Sequence, residues 1–150
     1  MQVDMRESKF KSVIIVDDDH EALMIHHKMV SLMGYHALSF NIPQDAINYL
    51  QRSSHEASLI ITDYQMPEMS GLEMLEAIRA SGTKAPALMI SGNPEEICKI
   101  RAEKCGASII GKPIRMKALA NHIANCMAID QPSATAALCC SSQGSFCKCC

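Results

Sequence analysis

Five short apolar runs, each followed by a longer stretch with helical spacing, constrain the fold of this chain more than any other feature. Val13-Ile14-Ile15-Val16, Ser58-Leu59-Ile60-Ile61, Ala87-Leu88-Met89-Ile90 and Ala107-Ser108-Ile109-Ile110 are apolar without alternation. A strand with one wet face alternates apolar and polar side chains. Continuous runs therefore predict strands buried on both faces, as in a parallel sheet covered by helices. Tyr35 to Phe40 is more mixed and suits an edge strand. Parallel neighbours need crossovers, which are right-handed almost without exception. Five βα units between about Ser12 and Ile129 thus predict one doubly wound five-stranded α/β sheet with five helices.

The intervening stretches carry helix signals. Ala22, Ile25, Met29, Leu32 and Met33 recur at three- and four-residue steps, which predicts a helix from about His20 to Met33 stopped by Gly34. Pro43 suits the first position of a second helix, with Ala46, Ile47 and Leu50 facing inward. Leu72, Leu75 and Ile78 mark a third, ended by Gly82. Asn93 as N-cap, Pro94 next and Glu96 three residues after the cap predict a fourth, closed by Gly106. The fifth, Ile114 to Met127, sets Leu119, Ile123 and Cys126 on one face.

Composition excludes several classes. The formal charge is −2, and the 14 Lys and Arg are scattered singly, so no basic face for nucleic acid is expected. No apolar run approaches the ~20 residues of a membrane helix, and Met1 to Lys11 lacks a signal-peptide core, which makes a cytoplasmic protein the expectation. Of eight cysteines, Cys98, Cys105 and Cys126 stand singly in helical segments and read as packing or surface residues, while Cys139, Cys140, Cys147, Cys149 and Cys150 crowd the end. We divide the chain into a leader at 1–10, one domain at 11–129, and a linker with a flexible cysteine-rich tail at 130–150, expected to be disordered. The tail lacks the paired spacing of common zinc modules, and it also lacks a prenylation signature.

In an open parallel sheet, ligands bind at the carboxyl ends of the strands. The polar residues there are Asp17, Asp18 and Asp19 after the first strand, Asp63 after the third, Ser91 after the fourth and Lys112-Pro113 after the fifth. Clustered carboxylates repel one another, so such a group persists best around a hard divalent cation, which Mg²⁺ or Mn²⁺ fits. A carboxylate in that setting can attack phosphorus, with a lysine and a hydroxyl meeting the charge on the phosphoryl oxygens. Asp19 reads as the N-cap of the first helix rather than as a metal ligand. Met66 and Met69 read as packing residues, and the neighbours His26 and His27 point to different helix faces, which argues against a chelate.

These motifs together resemble the receiver domain of the two-component response regulators, the chemotaxis-regulator family. VIIVDDD matches the family's acidic pair at Asp17 and Asp18, DYQMPEMSG its acceptor at Asp63, LMISGN its hydroxyl at Ser91, and Lys112-Pro113 its Lys-Pro. The match runs from about Lys9 to Ala128. The resemblance implies a flavodoxin-like sheet of order 2-1-3-4-5 and transfer of phosphoryl to Asp63 from a histidine kinase or histidine phosphotransfer protein. It implies Mg²⁺ on Asp18 and Asp63, with Asp17 acting through water and the main-chain carbonyl of Gln65 completing the set. Lys112 would pair with the phosphoryl group, Ser91 would swing to it, and the Lys112-Pro113 bond would be cis.

Two departures from the family stand out: Ile109 replaces a frequent aromatic residue, and Gly92 a frequent alanine. Gln65 and Asn93 fill the two positions that tune dephosphorylation in the family. The expected role is a phosphoacceptor signalling domain rather than an enzyme. With no effector domain after the fifth helix, it would act through a protein partner docking on the fourth and fifth helices and fifth strand. The alternatives are a receiver fragment of a hybrid histidine kinase, and a metal-binding or thiol-redox protein working through its tail. An aspartate-nucleophile phosphatase lacks a second catalytic acid.

Overall fold

A computed structural model describes residues 12–53 and 57–128. The expected leader, linker and cysteine tail lie outside the described residues. Five parallel strands, β1 (Ser12–Val16), β2 (His36–Phe40), β3 (Ala57–Asp63), β4 (Ala87–Ser91) and β5 (Ala107–Gly111), form one sheet in the order β2-β1-β3-β4-β5. Between and after them run α1 (His20–Leu32), α2 (Pro43–Arg52), α3 (Gly71–Ala80), α4 (Lys99–Lys104) and α5 (Met116–Ala128).

The unbroken apolar runs have the expected cause, because the sheet has a core on each face. Ile14, Val16, Ile60 and Met89 point to one side and pack with Leu50, Leu75 and Ile78 under α2 and α3. Their sequence neighbours Val13, Ile15, Ile61 and Leu88 point to the other and pack with Leu23, Val30, Leu119 and Ile123 under α1 and α5. Each central strand thus buries both of its alternating sets.

Helix boundaries follow local chemistry. The Asp19 carboxylate accepts from the amides of Glu21 and Ala22 at 2.9 and 3.3 Å, capping α1. Gly34 closes that helix at a φ of +89°, where a side chain would be strained. At α3, Ser70 and Glu73 form a reciprocal capping box: the Glu73 amide donates to Ser70 Oγ at 3.1 Å, and the Ser70 amide to Glu73 Oε2 at 2.8 Å. The S-x-x-E signature for this cap lies open in the sequence and was not among the expected signals.

Three expectations are corrected. The fourth helix is not continuous from Pro94: a single 3-10 turn spans Pro94–Glu96, Ile97 is extended, and α4 starts at Lys99. Asn93 makes no cap; its side-chain amide donates to Glu96 Oε1 at 3.4 Å, and the extended backbone lets Ile97 bury itself in the core. The fifth helix begins at Met116 rather than Ile114. Finally, β5 is half-buried throughout rather than fully buried, because it is the edge strand opposite β2 and has a neighbour on one side only.

Arg79, in the last turn of α3, ties down the region below α4. Its Nε donates to the carbonyl of Cys105 at 2.8 Å and its Nη1 to that of Thr83 at 3.0 Å. Arg79→Met is expected to cost about 2 kcal/mol, since two partly buried carbonyls lose a charged donor. Chemical denaturation measures this, and an unchanged midpoint would show that water replaces both bonds.

Candidate functional site

The carboxyl ends of β1, β3 and β4 bring together Asp17, Asp18, Asp63 and Ser91, and Lys112 follows β5 directly. Asp17 and Asp63 are buried and Asp18 is exposed; one carboxylate oxygen of each lies within 4.8 Å of the others. Lys112 Nζ meets Asp63 Oδ1 at 2.6 Å. Ser91 is buried, and its Oγ accepts the main-chain N–H of Asn93 at 3.0 Å, while its carbonyl accepts the N–H of Lys112 at 2.8 Å. The Lys112-Pro113 bond is cis.

The electrostatics follow from burial. Desolvation pushes the Asp17 carboxyl up to about 6; the Asp19 amide, which donates to Asp17 Oδ1 at 3.0 Å, opposes this, and the charge on Asp63 adds to it. For Lys112, partial burial works against the ammonium, but the hydrogen bond and charge of Asp63, with Asp17 and Asp19 behind it, outweigh that penalty and raise its pKa. An all-oxygen set with a buried acid held reluctantly ionised fits a hard divalent cation such as Mg²⁺.

A buried imidazole was not among the expected site residues. His26 on α1 lines a recess of about 500 Å³ with Asp19, Ala22, Ile25, Lys112, Pro113 and Ile114. Its pKa is lowered by burial and by Lys112, with Asp63 opposing. Nothing in the sequence marks His26, because the residue that brings it to the site is 86 positions away. His27, its neighbour, turns to another face and meets Ser39 Oγ through Nδ1 at 2.6 Å. Met66 is buried in the core, and Met69 packs against it.

Fold and site define a class: a doubly wound α/β domain that gathers carboxylates, a hydroxyl and a lysine at one sheet edge. The family model for the response regulator receiver domain matches residues 13–124, and the chain belongs to that family. It is 36% identical over 106 residues to the putative two-component response regulator ARR21 of Arabidopsis thaliana, covering 69% of this chain and 17% of that protein. It is 30% identical over 112 residues to the response regulator protein TodT of Pseudomonas putida, covering 74% and 48%. The chain thus spans less than half the length of either relative. Among solved structures, a response regulator receiver domain protein from Clostridium thermocellum superposes with a TM-score of 0.72 at 20% identity, covering 79% of this chain and 95% of that one. This chain is accordingly a receiver domain of the two-component response regulators, and such domains signal rather than turn over substrate. Among the described residues no helix is long and apolar enough to cross a membrane.

Proposed function

We propose that Asp63 accepts a phosphoryl group from a phosphohistidine of a histidine kinase or phosphotransfer protein, and that the phosphorylated domain signals to a protein effector. The observation that carries this reading is the 2.6 Å pair between Lys112 and the buried Asp63 inside the carboxylate cluster. A carboxylate oxygen of Asp63 would form the bond to phosphorus as the bond from phosphorus to the donor nitrogen breaks. Lys112, already in contact, would follow the charge onto the phosphoryl oxygens. Ser91 would rotate away from the Asn93 amide and donate its hydroxyl proton to a phosphoryl oxygen.

Asp17, Asp18 and Asp63, with the main-chain carbonyl of Gln65, would hold Mg²⁺, with Mn²⁺ as a substitute. When bound, the ion neutralises charge gathered on the phosphoryl oxygens. A cytoplasmic setting agrees with this chemistry. Incubation with acetyl phosphate and Mg²⁺, followed by borohydride reduction and peptide mapping, is expected to place the modification at residue 63. A label elsewhere, or none, overturns the assignment.

The raised pKa of Asp17 gives a second expectation, with a definite sign. Its folded value of about 6 lies above the ordinary 3.8, so its contribution to stability is complete below the ordinary value and is lost as pH rises through about 6. In chelator, the wild type should lose about 2–3 kcal/mol relative to Asp17→Asn between about pH 4 and 7. Mg²⁺ should restore it at neutral pH and do nothing in acid, where protons hold the ligands. Parallel pH profiles of the two proteins, read by thermal denaturation, would remove this account.

A further inference from the structure

Outside the acidic cluster, one carboxylate is held by two amides from different loops. Glu96 lies in the 3-10 turn after β4; its Oε2 accepts from Gln65 Nε2 at 3.5 Å and its Oε1 from Asn93 Nδ2 at 3.4 Å. Gln65 stands two residues after Asp63 at the end of β3, and Asn93 two residues after Ser91 at the end of β4. Those strands are hydrogen-bonded neighbours. Glu96 therefore closes a clasp between the two loops on the sheet edge that carries Asp63 and Ser91. All three side chains belong to exposed residues, so solvent reaches the clasp and small forces open or close it.

From this geometry we infer that Glu96 is a positioning residue that prolongs the life of a phosphoryl group on Asp63 by keeping the Gln65 amide turned away from it; the inference rests on Asp63 being the acceptor. Loss of the group is hydrolysis. The oxygen of a water bonds to phosphorus, the bond from phosphorus to the Asp63 oxygen breaks, the carboxylate leaves with the electron pair, and the water's proton passes to the inorganic phosphate or to solvent. The attacking water must arrive in line with the breaking bond, and on this inference its path runs between the two loops that carry Gln65 and Asn93. A free carboxamide there can accept from that water through its oxygen and orient it. A carboxamide whose N–H is tied to Glu96 is held in one direction and is not free to turn its oxygen toward that water.

The clasp is also linked to the hydroxyl. Ser91 Oγ accepts from the main-chain N–H of Asn93, the same residue whose side chain donates to Glu96. Movement of Ser91 toward a phosphoryl group releases that N–H, so half of the clasp loosens when the group arrives. Glu96 then acts as a timer set by its hold on Gln65.

The test is the decay of radiolabelled phosphoprotein after removal of acetyl phosphate, in Mg²⁺, for the wild type, Glu96→Ala, Glu96→Gln, Gln65→Ala and the Glu96→Ala/Gln65→Ala pair. Gln65→Ala leaves the main-chain carbonyl in place. Glu96→Ala is expected to lose its label about two- to tenfold faster than the wild type, the range set by one or two ordinary hydrogen bonds. Glu96→Gln, which keeps one acceptor oxygen, should fall between them. In the Gln65→Ala background, Glu96→Ala should change nothing. Unchanged decay in Glu96→Ala overturns the clasp, and an equal acceleration in both backgrounds overturns the route through Gln65. A wild type that takes up no label overturns the acceptor reading and the clasp with it, whereas labelling with unchanged decay overturns the clasp alone.

Discussion

Asp63→Asn is expected to take up no phosphoryl group from acetyl phosphate and Mg²⁺, against close to one group per chain for the wild type, read by intact mass. A carboxamide is too poor a nucleophile to stand in for the carboxylate, and no neighbour can replace it. Asp17 is buried with its Oδ1 engaged by the Asp19 amide, and Asp18 is exposed. Neither has the 2.6 Å contact with Lys112 that would neutralise a transferred group. The same substitution removes a charge that helps raise the Asp17 carboxyl, so that pKa should drop from about 6, though only in part, because burial is the larger cause. Lys112 loses the partner that holds its pKa up and returns toward solvent. Both shifts are visible by NMR titration and show that the variant is folded. Labelling of Asp63→Asn to the wild-type extent would remove Asp63 as the acceptor.

Gly71→Ala is expected to destabilise the domain by about 3 kcal/mol. Gly71 opens α3 directly beneath the end of β3, where its N–H donates to the Tyr64 carbonyl at 2.8 Å. A Cβ there would drive into the main-chain oxygen of Asp63 and lie 3.1 Å from both Thr62 Cγ2 and Oγ1. The neighbour that must yield is buried backbone, whose oxygen already accepts from Thr62 Oγ1 at 2.9 Å, so the helix start has to shift instead. Overpacking of that kind typically costs roughly 1–3 kcal/mol, and the Tyr64 bond is weakened besides. The melting temperature should fall by on the order of 10 °C. Because the strained contact is with the main chain of Asp63, uptake of phosphoryl should slow as well. A variant with wild-type stability would show that α3 moves freely against β3.

What the sequence disclosed, and what it hid, divides along physical lines. The continuous runs at Val13 to Val16 and Ala87 to Ile90 announce burial on both faces, and the two cores explain why. The polar residues after the strands were legible because strand ends in such a sheet share one edge whatever the helices do. The break before α4 was hidden because Asn93, Pro94 and Glu96 spell a helix start; the outcome was decided by Glu96 being drawn to Asn93 and Gln65 and by Ile97 turning into the core. Likewise, Ala107 to Ile110 reads like a central strand, and only strand order tells that it lies at an edge. Asp17 and Asp18 are indistinguishable as letters, yet the chain leaving β1 turns one inward and the other to water. His26 approaches Lys112 through packing between α1 and the start of the last βα connection, which no local pattern records.

The carboxylates, the hydroxyl and the lysine of the acidic edge hang from strand ends and the residues just beyond them, while the neighbouring His26 is borne by α1. The outer faces of the helices, where Met24, Leu32 and Ile100 stand exposed, are therefore free to drift without disturbing the carboxylates. One part of the chain is bound to its chemistry, and another is open to acquiring new associates by surface change alone.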